Sequence, residues 1–513
     1  MLFNSYAFIF AYLPIVLIIT YGALRFGGTR AGTIALLIAS LAFYAYWKIG
    51  VLPLLIGSIV FNYIVGRFLH RNRTAGRVDI ARLFLIVGVA GDLALLAYYK
   101  YAMLLLGTVN DLTGIGVPVP SIVLPIGISF FTFTQIAFLV DVWKGKAQEY
   151  DAWRYGLFVS YFPHLIAGPI LHHKDMIPQF NDALQFRITR ENLAVGATIF
   201  VFGLAKKVLI ADNVADAANL VFGRVIEGDH VSFAYAWLGA VSYSMQLYFD
   251  FSGYSDMAIG LSRMFGIALP LNFNSPYKSR NIVEFWRRWH MTLSQFLRDY
   301  LYIPLGGNRH GAARRYINLM LTMLLGGLWH GAAWTFALWG GLHGLMLVVN
   351  HLWRGSREVS KSRIAAAASI VLTFLCVTIA WIPFRAESLE ATWSMIRGLV
   401  GLGGLELPSS LLRVVPRLLH ATEAPDYIWG SARDLAGMMA WCGLSLFIAW
   451  FLPNTQQILA PYWLKSDGSP ADPQHVTQPI LTFTRPWAIS LGLAASVMIV
   501  LLGRQTHFLY FQF

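Results

Sequence analysis

Charge is scarce in this chain of 513 residues: Asp, Glu, Lys and Arg make up 13% of it, where a soluble domain carries about one quarter. That shortage excludes an ordinary soluble fold. Cysteine is scarcer still. Cys376 and Cys442 are the whole supply, each inside an apolar run, so the chain has no disulfide framework and no spaced thiol pair for a metal. Glycine-rich phosphate loops, zinc-ligand pairs and nucleophile elbows are absent, and no metal site is expected. No internal repeat is visible, which counts against an inverted-repeat transporter. The first apolar run, about Tyr6 to Leu24, has no basic residue ahead of it and no small-residue cleavage pattern behind it. It is expected to be a retained helix rather than a removable leader.

What the chain has in abundance is hydrophobic sequence, 57% of its residues, with a mean hydropathy of +0.57. Apolar runs long enough to cross a hydrocarbon core of about 30 Å recur from end to end. Spans are expected at about 6–24, 32–47, 51–69, 83–106, 122–142, 154–171, 193–211, 233–262, 316–350, 364–384, 434–452 and 486–503. The fold class is therefore an all-α polytopic integral membrane protein of about 11–13 transmembrane helices. The run 316–350 is too long for one span and carries Gly326, Gly327, Gly340 and Gly341. It is expected to be two helices, or one broken helix lining a cavity. A single membrane domain, 1–513, is expected. Its parts are N-terminal spans (1–262), an amphipathic segment with a site core (263–350), and C-terminal spans (351–513) with polar loops at about 385–433 and 453–485.

The formal charge is +13, which in a soluble protein would raise nucleic acid as a partner. Here Arg67, Arg71, Arg73, Arg77 and Arg82 gather near one short connection, as expected for cytoplasmic loops beside anionic lipid headgroups. Membrane lipid is the partner this implies, and nucleic acid is not. Aromatic residues make up 15%, consistent with interfacial belts. Between about 270 and 315, arginines alternate with Phe285, Trp286, Trp289, Phe296 and Tyr300, a pattern that reads as an amphipathic segment in the headgroup plane.

An ionisable residue inside lipid needs a partner, a wet cavity or a task. His330 follows Trp329, precedes Gly331 and has Trp334 nearby. It reads either as a pocket histidine walled by indoles or as a core histidine bonded between helices. His290, in the run Trp286-Arg287-Arg288-Trp289-His290, reads by itself as an interfacial histidine. Asp250, Ser252, Tyr254, Ser255 and Asp256 form a polar run in which the two carboxylates are six residues apart. That spacing is not one helical face, so an acid/base dyad is not implied. His164, between Pro163 and Pro169, reads as a helix break, and Lys206 and Lys207 as snorkelling surface anchors.

Together these segments resemble the membrane-bound O-acyltransferase family, and within it the bacterial branch that contains the alginate O-acetylation membrane subunit. The resemblance rests on Phe249-Asp250-Phe251-Ser252-Gly253-Tyr254-Ser255-Asp256, Asn272-Phe273-Asn274-Ser275-Pro276-Tyr277, Phe285-Trp286-Arg287-Arg288-Trp289-His290, Leu301-Tyr302-Ile303-Pro304-Leu305-Gly306-Gly307-Asn308 and Trp329-His330-Gly331. It covers most of the chain, including the end Phe508-Leu509-Tyr510-Phe511-Gln512-Phe513. It implies a helical bundle around a tunnel in the bacterial inner membrane, with His330 as the active-site histidine and His290 as the second. It also implies a cytoplasmic thioester donor (acetyl-CoA or an acyl-carrier thioester), an extracytoplasmic polysaccharide acceptor, and a periplasmic SGNH-type acetyltransferase partner.

The chemistry fits the residue types. A neutral imidazole can take the proton of a sugar hydroxyl as it attacks a thioester carbonyl, with no bound cofactor. Asp250, Ser252, Tyr254, Asp256, Asn274, Trp286, Arg287, Arg288, Trp329 and Trp334 are candidates for lining the donor or substrate path, with Arg287 and Arg288 set to attract an anionic donor. Two rival readings remain at this level: a D-alanyl transferase component acting on teichoic acid, and a transporter or export channel without chemistry.

Overall fold

In the computed structural model the described residues are 1–147, 151–354, 362–407, 422–423, 432–464, 483–503 and 509. The motif at the chain end, apart from Leu509, and much of the two polar loops lie outside them. The chain divides into two compact units. The first comprises Met1–Leu204, Tyr254–Asn272 and Thr455–Gln505, and the second Ala205–Gly253, Phe273–Asn454 and Thr506–Phe513.

In the first unit, α1 runs over Ala7–Trp47. At about 1.5 Å per residue its 41 residues would far overshoot a bilayer core if straight. It is interrupted at Gly28, whose φ of 69° and ψ of −168° only glycine adopts without strain, so the two spans expected at 6–24 and 32–47 are two arms of one kinked helix. Then come α2 (Leu52–Thr74), α3 (Val78–Thr113) and α4 (Ile128–Trp143). Polar side chains fasten them where lipid offers no partner: Asn62 Nδ2 donates to Asp92 Oδ1 at 2.8 Å, and Gln135 Nε2 to Ser58 Oγ at 2.8 Å.

One expected span is corrected. Over 154–171 the chain forms only α5 (Ala152–Ser160), followed by turns over 162–167 and irregular chain to His172, because Pro163 and Pro169 withhold the amide donors a helix needs. His164 is buried there with its ring nitrogen 2.9 Å from the Phe158 carbonyl, the architectural role read from its prolines. After α6 (His173–Asn181) comes α7 (Arg190–Ile226), which carries a π-turn at Lys206–Ala211. Next is α8 (Phe233–Met264), 32 residues long. Both helices pass from one unit to the other along the chain.

The second unit holds α9 (Ile282–Trp286), α10 (Met291–Leu297), α11 (Gly311–His330), α12 (Trp334–Arg354), α13 (Arg363–Arg385), α14 (Leu389–Leu399) and α15 (Ala432–Phe451). α16 (Arg485–Leu501) belongs to the first unit. A two-residue parallel pair joins β1 (Glu406–Leu407) to β2 (Thr422–Glu423). Among the described residues six helices are long and apolar enough to cross a membrane, and α4 and α16 are shorter apolar helices. The run 316–350 is two helices, as one of its expectations had it. The break, however, falls at Gly331–Ala333, and the four glycines lie inside the helices. A Cβ on Gly327 would strike the Phe336 carbonyl, and one on Gly340 the Met323 carbonyl. Those glycines bring α11 and α12 into close contact instead of breaking them.

Candidate active site

His330 is the last residue of α11 and His290 the residue just before α10, so each ring is presented at a helix end. His290 has φ 40° and ψ 55°. With Ser275 it is one of two non-glycine residues of positive φ among those described, a conformation that survives only where the surroundings over-determine it. The surroundings do. Asn274 N donates to the Arg288 carbonyl at 2.9 Å, Arg288 pairs with Glu284 at 2.8 Å, and Asn454 Nδ2 donates to Asn274 Oδ1 and Ser275 Oγ at 3.0 Å each.

The two histidine rings lie 6.3 Å apart, centre to centre, and both are buried, His290 completely and His330 to 7% exposure. Around His330 stand Trp329 at 4.9 Å, Trp339 at 5.1 Å and Phe384 at 5.2 Å, all close to perpendicular to it. Around His290 stand Phe251 at 4.8 Å and Trp329 at 6.4 Å. This aromatic wall keeps water scarce and strengthens any hydrogen bond made inside it. Burial also holds His290 neutral, pushing it down to about 3.

The other candidates separate. Trp286 is buried against Trp339 (5.9 Å), and the Trp329 ring is near both histidines, whereas Trp334 is 52% exposed. Asn274 and Arg288 are braces of the His290 turn. Arg288 shares its charge with Glu284, which leaves exposed Arg287 as the freer positive group of that pair. Ser252 is buried, and its hydroxyl has no hydrogen-bond partner among the described residues. Tyr254 and Asp256 pack within the first unit: Tyr254 stacks on Phe3 at 4.8 Å, and Asp256 accepts from Thr455 Oγ1 at 2.6 Å.

The reading of Lys207 as a surface anchor is overturned. It is 4% exposed, with Nζ 2.8 Å from Asp212 and 2.7 Å from Asp250, while the other Asp250 oxygen accepts the Leu509 amide at 3.0 Å. The π-turn turns this lysine inward, where two carboxylates compensate it. Asp250 is therefore the hub of an ion cluster.

Sequence reasoning missed Trp339, His343, Trp381 and Phe384. Trp339 and His343 are four residues apart on one face of α12, their rings 4.8 Å apart. Trp339 stacks on Trp381 at 5.5 Å. His343 is fully buried, and neither ring nitrogen has a hydrogen-bond partner among the described residues. A histidine inside an apolar run was the available signal.

Comparison with known proteins decides the class. Residues 128–386 match the model of the membrane-bound O-acyltransferase family. The chain is 37% identical over 548 residues to the peptidoglycan O-acetyltransferase of Helicobacter pylori, covering 100% of this chain and 98% of that protein. This chain belongs to the membrane-bound O-acyltransferase family. It is 44% identical over 414 residues to the probable alginate O-acetylase AlgI of Pseudomonas aeruginosa, covering 79% and 76% of the two chains. A teichoic acid D-alanyltransferase of Streptococcus thermophilus is 29% identical over 261 residues, covering 46% of this chain and 60% of that protein. The chain is accordingly an acyltransferase and a multi-pass membrane protein, and the reading of a channel without chemistry falls.

Proposed function

We propose that this protein passes an acetyl group from a cytoplasmic thioester, acetyl-CoA or an acyl-carrier thioester, across the bacterial inner membrane for O-acetylation of an extracytoplasmic polysaccharide. The observation that carries the reading is the pair of buried histidine rings 6.3 Å apart, in a chain whose full-length relative is named an O-acetyltransferase. Acetyl is favoured over D-alanyl because the relatives matched over most of their length are O-acetyltransferases, while the D-alanyltransferase aligns with under half of this chain.

His330 is the general base. Its imidazole takes the hydroxyl proton as the oxygen bonds to the thioester carbonyl carbon; the tetrahedral intermediate then expels the thiolate, which recovers the proton. The C-terminal end of α11 carries the negative end of the helix dipole, which favours the imidazolium formed midway. His290, neutral through burial, can donate one ring N–H toward the developing oxyanion. A periplasmic SGNH-type partner would receive the acetyl group or complete its transfer to polymer.

The reading is tested in proteoliposomes supplied with labelled acetyl-CoA and a glycan acceptor. His330→Ala is expected to slow transfer by roughly 10²–10⁴-fold, the contribution of a positioned base. His290→Ala is expected to lower kcat more than it raises KM. A His330→Ala protein that transfers acetyl at the wild-type rate contradicts the assignment.

A further inference from the structure

A second concavity lies in the same unit, outside the histidine pocket. A groove of about 610 Å³ is walled by the end of α7, the loop before α8, α14 and the residues that follow it. His230, Glu387, Glu390, Trp393 and Arg397 contribute its polar and aromatic lining. Its side of the membrane follows from charge. The connection into α13 carries Arg354, Arg357, Lys361 and Arg363, which the positive-inside rule places in the cytoplasm. The 23 residues of α13, at about 1.5 Å each, then carry the chain across, so the groove opens on the extracytoplasmic face.

The groove is also close to the chemistry. Phe384, in the last turn of α13, lies 5.2 Å from the His330 ring. Glu387 is three residues further on, at most about 11 Å of extended chain.

The lining has a chemical character. Trp393 is 60% exposed and offers an indole face to the C–H side of a pyranose ring. Glu387, Glu390 and Arg397 are exposed and make no ion pair among the described residues, so their hydrogen-bonding capacity is uncommitted; Ser388, by contrast, is engaged in capping α14. Two carboxylates as acceptors and a guanidinium as donor, beside an aromatic platform, suit vicinal hydroxyls. The volume falls within the roughly 300–1,000 Å³ of small-ligand pockets and holds a few sugar rings. A protein partner would need about 800 Å² of its own surface buried, far beyond so local a feature.

Resting on the acyl-transfer reading above, we propose that this groove is the acceptor subsite, which binds hexopyranose rings of an extracytoplasmic glycan and feeds a hydroxyl toward His330. Uronate and N-acetylated amino-sugar chains share that chemistry, and Arg397 distinguishes them.

The test is calorimetric binding of a mannuronate hexamer and of chitohexaose to the full-length protein in lipid nanodiscs. Trp393→Ala and the double variant Glu387→Gln/Glu390→Gln are expected to weaken binding by roughly tenfold or more, with Trp393→Phe restoring most of it. Arg397→Gln weakens the uronate hexamer selectively if uronate is the natural ring and treats both hexamers alike if the amino sugar is. His330→Ala is expected to bind hexamer as the wild type does, so failure of the groove and failure of the catalytic assignment read out separately. Absence of binding by both hexamers, or equal affinity across all groove variants, overturns the proposal. Groove variants that bind hexamer normally yet lose polymer acetylation in cells would make the groove a protein dock, and overturn it too.

Discussion

Lys207 serves buried Asp250 and half-buried Asp212 at once, and its removal takes from both the cation they share. Lys207→Met is expected to destabilise the protein by about 3–5 kcal/mol, as for other broken buried ion pairs. Adding Asp250→Asn should recover part of the loss, read as melting temperature in one detergent. Equal melting temperatures for wild type and Lys207→Met would show that the cluster contributes little. His290 makes a pH-dependent contribution. Burial lowers its folded-state pKa to about 3, so the neutral form contributes fully above the unfolded value near 6.5. That contribution falls as pH drops from about 6.5 toward 3, by about 1.4 kcal/mol per pH unit. A His290→Gln protein should melt with a shallower acid limb over that window, and an unchanged limb refutes the assignment. His343→Phe replaces two buried nitrogens by apolar ring and is expected to be neutral or stabilising by about 1–3 kcal/mol. At this scale the two motif histidines were legible because their neighbours are distinctive. Lys207 was not, because Asp250, one of its two carboxylate partners, lies 43 positions along the chain, and two adjacent lysines look alike until a π-turn separates their directions.

Among the elements, the pair α11 and α12 bears most directly on the site, since His330 ends one and Trp339 rides on the other. Their contact depends on glycines. Gly327→Ala would push a methyl group into the Phe336 carbonyl, at an expected cost of about 1–3 kcal/mol, with acetylation falling alongside the yield of folded protein. Full activity at wild-type melting temperature would contradict that packing. Hydropathy alone gave a run too long for one span, and glycine content gave a reason to divide it, yet the break came at Gly331. Glycine both bends a helix and lets two helices touch, and sequence does not distinguish these uses when six glycines fall in one run. At Gly28 the other use prevails: the glycine interrupts the helix between the two stretches expected at 6–24 and 32–47. At 154–171 hydropathy drew a full span while Pro163 and Pro169 already read as a break, and the prolines decided the structure.

For the whole molecule, composition and apolar runs made the membrane class legible, and five local motifs made the family legible. The inward face of the site was not, because Trp339, Trp381 and Phe384 belong to helices whose sequence is apolar throughout, and only packing shows which indoles meet at His330. Under the proposed function, positive charge at the connection into α13 would set that end in the cytoplasm, with the histidine pocket between a cytoplasmic donor and an outer acceptor. The most direct measurement is ester-linked acetate released by mild alkali from surface polysaccharide, in cells carrying wild-type or His330→Ala protein at equal membrane levels. Loss of the acetate in the variant is expected if His330 is the base of acyl transfer; acetate at the wild-type level would contradict it.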